Sequence, residues 1–382
     1  RDVIRDSFGK AFVAEKMLPR YDLAYWIGRI GYVETSRYCN FRCSFCALTG
    51  EGRRYQNYSL DYIRDQFLAM GKKKQILFID NNLYGNSRKH FLSRLKLIKE
   101  MREAGHFENW SALVTNDFFY KEENLQLIHN SGCMGLFSGV ESFDTEWLRD
   151  VNKLQNITLP QVELIRRCLS AGIVFLYGLI MDVTSRRLTD LRRELDFITG
   201  TPEITLPSFL TLPIPILGTP YFRKCLSEEA FLPETKLRDM DGTTLVLRPL
   251  DPMGEVVDFL RDMASLRGYR TRILQHCLRF ARRYRTKLSG LQMIAALTNA
   301  GLLCANNLTT APGSWLGVHK RDRQRTHIST SEPLDDVYRP AFPVASSYEK
   351  YFKPTMITDK NGYLVEDLAD DLTYARPGVR TK

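Results

Sequence analysis

The stretch Thr35–Tyr55 reads TSRYCNFRCSFCALTGEGRRY and carries Cys39, Cys43 and Cys46, three cysteines within eight positions. It follows on a short apolar run, Gly31 to Ser36, so the thiols are expected on a loop at the end of a first strand. With eight cysteines in 382 residues, coincidence places two more at those two offsets in about 0.3% of such chains. The other five, Cys133, Cys168, Cys225, Cys277 and Cys304, are scattered singly. Such crowding points to a metal centre rather than to disulfides. Structural zinc asks for four protein ligands, and no fourth cysteine or histidine lies nearby in the sequence. Three thiolates can instead hold three irons of a cubane cluster and leave its fourth iron open to a small molecule.

Outward from this loop, short apolar stretches alternate with longer amphipathic ones. The strands are expected at Gly31 to Ser36, Gln75 to Asp80, Trp110 to Thr115, Cys133 to Gly139, Ile173 to Ile180 and Ile204 to Leu212. Leu60 to Met70, Phe91 to Ala104, Lys121 to Asn130 and Leu159 to Ala171 show apolar residues at helical spacing between them. Six such units predict an α/β fold, a partial (β/α)6 TIM-type barrel with reactive groups at the carboxyl ends of its strands. Pro213, Pro215, Gly218 and Pro220 then mark an exit from the sheet. Val256 to Leu266 and Gly268 to Leu303 read as helical, and Thr309 to Lys382 as mixed and loop-rich, which makes a helical, loop-rich C-terminal extension.

The spacing of Cys39, Cys43 and Cys46, with Phe45 before the last, resembles the radical S-adenosylmethionine superfamily. The resemblance implies a 4Fe-4S cluster held by these three cysteines. It also implies S-adenosylmethionine on the open iron, cleaved reductively to a 5′-deoxyadenosyl radical, with Phe45 shielding the cluster. The second strand ends in IDNNLYGN, Ile79 to Asn86. There Asp80, Asn81 and Asn82 stand where relatives have acceptors for the methionine ammonium; turn formation is the plainer alternative. GLFSGVES, with Ser138 and Glu141, resembles the strand-four motif that reaches ribose and methionine, although Glu141 and Ser142 also suit a helix start. Ser111, Thr115 and Asn116 on strand three are candidates for hydroxyl contacts or simple turn formers, and Ile180 on strand five for packing against adenine.

LPRYDL before strand one, NNLYGN, GVES and PIPILGTP are similar to segments of the cobalamin-binding members. This implies an upstream cobalamin domain, with residues 1–28 as the linker from it, 29–235 as the radical core and 236–382 as the C-terminal region. No Asp-x-His-x-x-Gly cobalt-ligating loop occurs in the chain. The implied reaction is cobalamin-dependent methylation of an unactivated carbon. Radical cyclisation or rearrangement is the alternative among enzymes, and a non-catalytic iron-sulfur protein the alternative outside them.

A net charge of +10, spread over the chain, weakly favours an acidic partner and does not call for nucleic acid. Lys72 to Lys74 with Arg53 and Arg54 suit an acidic electron donor of the flavodoxin or ferredoxin type, and equally a solvated surface. The segment Gly268 to Lys287 carries Arg270, Arg272, Arg279, Arg282, Arg283 and Arg285 among apolar residues, as a helix touching a membrane surface or an anionic substrate does, or simply a solvated one. His319 and His327 flank a charged loop, and nothing elevates them. No apolar run approaches the roughly 18 residues of a membrane span, and Arg1 to Arg20 is too charged for a signal peptide, so a cytoplasmic location is expected. The substrate class, small molecule or lipid, stays open.

Overall fold

The structure, a computed structural model, describes residues 15, 17–23, 28–232, 240–242, 245–265 and 268–304. Thr309 to Lys382, with His319 and His327, lie outside the described residues, as does most of the linker.

Nine strands are found among the described residues: β1 (Ile30–Val33), β2 (Ser36–Arg37), β3 (Gln56–Asn57), β4 (Gln75–Phe78), β5 (Asn109–Val114), β6 (Cys133–Ser138), β7 (Val174–Leu176), β8 (Gly178–Ile180) and β9 (Phe209–Thr211). The helices of the barrel are α1 (Ala47–Glu51), α2 (Leu60–Met70), α3 (Arg88–Glu103), α4 (Glu123–Asn130), α5 (Thr145–Asp150), α6 (Gln161–Ser170), α7 (Leu188–Gly200) and α8 (Pro220–Ser227). After them come α9 (Met253–Ser265), α10 (Arg270–Tyr284) and α11 (Gly290–Cys304).

β1, β4, β5, β6 and β7 pair in parallel in chain order, and β8 pairs in parallel with β9. Main-chain bonds carry the curve across the gap: Glu141 N donates to Gly178 O (3.2 Å) and Ile180 N to Glu141 O (2.8 Å). The architecture is therefore the expected partial barrel of six strand positions. The run expected as one strand over Ile173 to Ile180 is divided at Tyr177, whose buried hydroxyl donates to Thr205 O at 2.8 Å. The sixth strand keeps only Phe209–Thr211; a Cβ on Gly178 would lie 2.1 Å from the Phe209 ring, so glycine is what lets these two strands approach.

Alternation explains the layers. β4 and β5 bury every second residue, and the buried set, including Ile76, Phe78, Trp110, Ala112 and Val114, faces the helices. Phe67 of α2 meets Phe78 edge-on at 6.2 Å, and Phe78 meets Trp110 at 5.3 Å. Trp110 is fully buried, its Nε1 donating to Ser131 O at 3.0 Å. Helix starts are set locally: Ser59 accepts from Tyr62 N and Ser87 from His90 N, while Thr219 caps α8 with Pro220 at its first turn.

The helical stretch expected over Gly268 to Leu303 is two helices, because Ser289 and Gln292 form a reciprocal cap that starts α11 afresh. Gln292 Nε2 then donates to Met134 O (2.9 Å) and Gly172 O (2.5 Å), which docks α11 at the amino ends of β6 and β7. No described helix is long and apolar enough to cross a membrane.

Candidate cofactor site

The three cysteines sit on the loop between β2 and α1 and are unbridged thiols, Cys43 buried and Cys39 and Cys46 partly so. Tyr38, just before Cys39, takes a left-handed φ of 68°, a rare conformation for a residue with a Cβ. Cys46 begins α1, and its carbonyl accepts from Thr49 N at 2.9 Å. Distant segments pin the loop. Ser44 N donates to Val151 O (3.1 Å), Asn152 Nδ2 to Arg42 O (2.8 Å), Asn82 Nδ2 to Asn40 Oδ1 (2.8 Å) and Tyr221 N to Ser44 O (3.1 Å). The loop is thus tied to the loop after β4, to the turn after α5 and to the start of α8.

Burial raises the Cys39 thiol to about 11, with the neighbouring Cys43 and Cys46 adding to the effect, and it raises Cys46 as well. Thiols raised in this way at Cys39 and Cys46 suit a cationic centre that favours their thiolate forms. Among the described residues no three Cys, His, Asp or Glu side chains form a group that could hold a single metal ion. A cubane makes no such demand, because each thiolate takes its own iron. Three free thiols on one loop are a donor set that fits a cubane with its fourth iron open.

Asp80 is fully buried and turned into the protein. Its Oδ2 accepts from Thr35 N (3.1 Å) and its Oδ1 from Thr35 Oγ1 (2.7 Å) and from Ser36 Oγ, with the Arg94 guanidinium at 3.6 Å. Burial raises its pKa, and Arg94, Ser36 and Thr35 oppose that rise. The carboxylate stitches the ends of β1 and β4 to α3 and offers a ligand little. Asn82 is also buried, its Oδ1 accepting from Tyr84 N and Thr115 N. Asn81 alone of the three is exposed.

Ser111 accepts from Gln75 Nε2 at 3.3 Å and is partly open to the concave side. Thr115 Oγ1 donates to Asp117, whose carboxyl burial pushes up to about 6 against that hydrogen bond. Ser138 is buried and donates to Asn116 Oδ1 at 2.8 Å, and Asn116 donates on to Gln161. These two form a packed polar network beneath the rim.

Glu141 is held in a left-handed conformation, φ 62°, and its carboxylate pairs with Lys153 Nζ at 2.9 Å. Burial works against the Lys153 ammonium, but Glu141 and then the Cys43 and Cys46 thiols outweigh it and raise its pKa. A Cβ on Gly139 would lie 2.3 Å from Glu141 Oε1 and 2.8 Å from Lys153 Nζ, so the pair exists because residue 139 has no side chain. Lys153 Nζ also stands 5.8 Å from the centroid of the Phe45 ring. Phe45 stacks on Trp147 (6.5 Å, 22°), and the same apolar group takes in Ile157 and Ile180.

The structure thus gathers Phe45, Ile180, Glu141 and the cysteines at one end of the sheet. It places Asn81 past the end of β4, Ser111 on β5 and Thr115 just past the end of β5, with Asp80, Asn82 and Ser138 buried beside them. Lys153, Gln155 and Asp117 are not among the residues that the sequence motifs pick out. DVNKLQN carries no motif, whereas Asp117, two residues past a strand end, had a local signal available.

Residues 33–192 match the model of the Radical SAM superfamily. The chain is similar to bacteriochlorophyllide d C-12(1)-methyltransferase of Chlorobaculum tepidum, 30% identical over 196 residues, 49% of this chain and 40% of that protein. It is likewise similar to hopanoid C-2 methylase of Rhodopseudomonas palustris, 29% identical over 196 residues, 47% of this chain and 36% of that one. The chain spans half or less of the length of the curated relatives it matches. Among solved structures it resembles apo OxsB, a cobalamin-dependent S-adenosylmethionine radical enzyme, at 18% identity and a TM-score of 0.49, covering 75% of this chain and 55% of that one.

Proposed function

We propose that the protein, whose residues 33–192 match the Radical SAM superfamily model, cleaves S-adenosylmethionine reductively and methylates an unactivated carbon with the help of cobalamin. The observation that carries the first half is the loop of three free thiols, pinned from the loop after β4, the turn after α5 and the start of α8, and lying beside the Glu141–Lys153 pair. Cys39, Cys43 and Cys46 would hold three irons, leaving the fourth for the cofactor. When bound, the cluster supplies one electron to the sulfonium.

The chain's own residues do the rest. Phe45, against Trp147 and Ile180, closes an apolar wall that keeps water from the thiols. The Glu141–Lys153 pair offers both signs of charge to a zwitterionic amino acid, with Asn81 as the open acceptor at the second strand. Ser111 and Thr115 face the concave side as hydroxyl contacts. The methyl-transfer half is supported by the names of the two relatives, a methyltransferase and a methylase.

On this proposal the protein works in the cytoplasm with a flavodoxin- or ferredoxin-type donor, on a small-molecule or lipid substrate. Exposed Leu274 and Leu278 on the arginine-rich α10 suit peripheral contact with a membrane. Residues 1–28 serve as a linker from a cobalamin domain, 29–235 as the core and 236–382 as the C-terminal region.

The test is anaerobic turnover of protein made from its complete reading frame, with and without cobalamin, scored for 5′-deoxyadenosine and methylated product. Both products are expected only with cobalamin bound. Full activity without cobalamin would transfer the assignment to cyclisation or rearrangement. No 5′-deoxyadenosine under any condition would leave an iron-sulfur protein without turnover.

A further inference from the structure

One side chain addresses the cluster loop rather than the cofactor. Gln155 stands in the short turn Leu154–Asn156 after α5, is 4% exposed, and directs its Nε2 at Sγ of Cys43 across 3.6 Å. Its Oε1 is buried with no hydrogen-bond partner. An unpaired buried amide oxygen costs stability, so packing alone would favour an apolar residue at this position. The turn is nonetheless held firmly: Tyr120 Oη donates to Gln155 O at 3.0 Å, and Asn156 Nδ2 donates to Gly139 O at 2.7 Å and Val140 O at 3.0 Å. Two residues earlier, Lys153 is buried beside Glu141 and within electrostatic reach of Cys43 and Cys46.

We propose that Gln155 is a positioning residue that sets the reduction potential of the cluster through its hydrogen bond to the Cys43 sulfur. The inference rests on the reading that the three cysteines hold a 4Fe-4S cluster. Reduction adds one electron from the external donor, with no bond made or broken, and the added negative charge spreads onto the thiolate sulfurs. An N–H aimed at one of those sulfurs stabilises the reduced form more than the oxidised form and raises the midpoint potential. The positive charge of Lys153 acts in the same direction, and its pairing with Glu141 moderates it.

The test is a potentiometric titration of the anaerobically reconstituted full chain without S-adenosylmethionine, followed by absorbance and by the paramagnetic signal of the reduced cluster. Gln155→Leu removes the donor. Gln155→Glu replaces it with an acceptor of the same size, and it is the variant to read should the leucine form lose iron. Both are expected to keep wild-type iron and sulfide and to titrate at a more negative potential, the glutamate form further than the leucine form. An iron-replete variant with an unshifted midpoint overturns the proposal and leaves the cluster assignment standing. Wild-type protein that takes up no iron overturns both.

Discussion

Lys153 Nζ lies 2.9 Å from the Glu141 carboxylate, and the space for that pair is the missing side chain of Gly139. A charged pair this buried persists when its partners and its enclosure are all present; removing one member strands the other. Its position beside the Cys43 and Cys46 thiols makes it the electrostatic centre of the candidate site.

Gly139→Ala is therefore expected to push the pair apart while leaving the cysteine loop intact. Loss of a charged contact of about 1.5 to 3 kcal/mol should weaken S-adenosylmethionine binding roughly tenfold or more. Equilibrium binding to the iron-replete variant measures it. Unchanged affinity with a full cluster would remove the pair from the cofactor site.

Cys43→Ala should abolish the cluster. Its thiol is the most buried of the three, and two remaining thiolates on one loop leave a cubane short of ligands. Iron and sulfide analysis of the anaerobically reconstituted variant decides the point, and retention of both would end the cluster assignment.

Asp80→Ala should act mainly on stability. The substitution leaves the Arg94 guanidinium, 1% exposed, without its carboxylate, and removes the acceptor shared by Thr35 and Ser36. Stranding a buried charge in this way costs about 3 to 5 kcal/mol. Denaturant unfolding is the measurement. A stable variant that fails only in cofactor binding would restore Asp80 to a ligand role.

Asp117 gives stability a pH dependence. Its folded pKa of about 6 lies above the ordinary 3.8, so the folded chain binds the proton more tightly than the unfolded one. Stability from this group is complete below the unfolded value, falls as pH rises through about 4 to 6, and stays lower above that window. Asp117→Asn should raise unfolding free energy near pH 8 by up to about 3 kcal/mol and change little below about pH 4. Equal effects at both pH values in thermal or denaturant melts would contradict the burial argument.

The cysteine loop and the strand-helix alternation could be read from neighbouring residues because both are local. Thiol spacing is a property of eight consecutive positions, and a period of two or of 3.6 needs only a short window. Leu60–Met70 matches its expected bounds because Ser59 caps one end and Gly71 follows the other. The long-range partners had no such signal. Gln155 meets Cys43 across 112 positions, and Arg94 reaches the Thr35 hydroxyl across 59. Nothing near Asp80 in the chain says whether its carboxylate points to solvent, to a ligand or inward. Arg94, arriving from α3, and the hydroxyls of Thr35 and Ser36 settle the direction, since a buried guanidinium and a buried carboxylate each lower the cost of the other's desolvation. Lys153 is unremarkable in VNKLQN and becomes the charge beside the thiols once the turn after α5 folds over the loop after β2. Periodicity tells which side chains share a face; the closing of the sheet brings distant loops together at its carboxyl end and decides which of them meet.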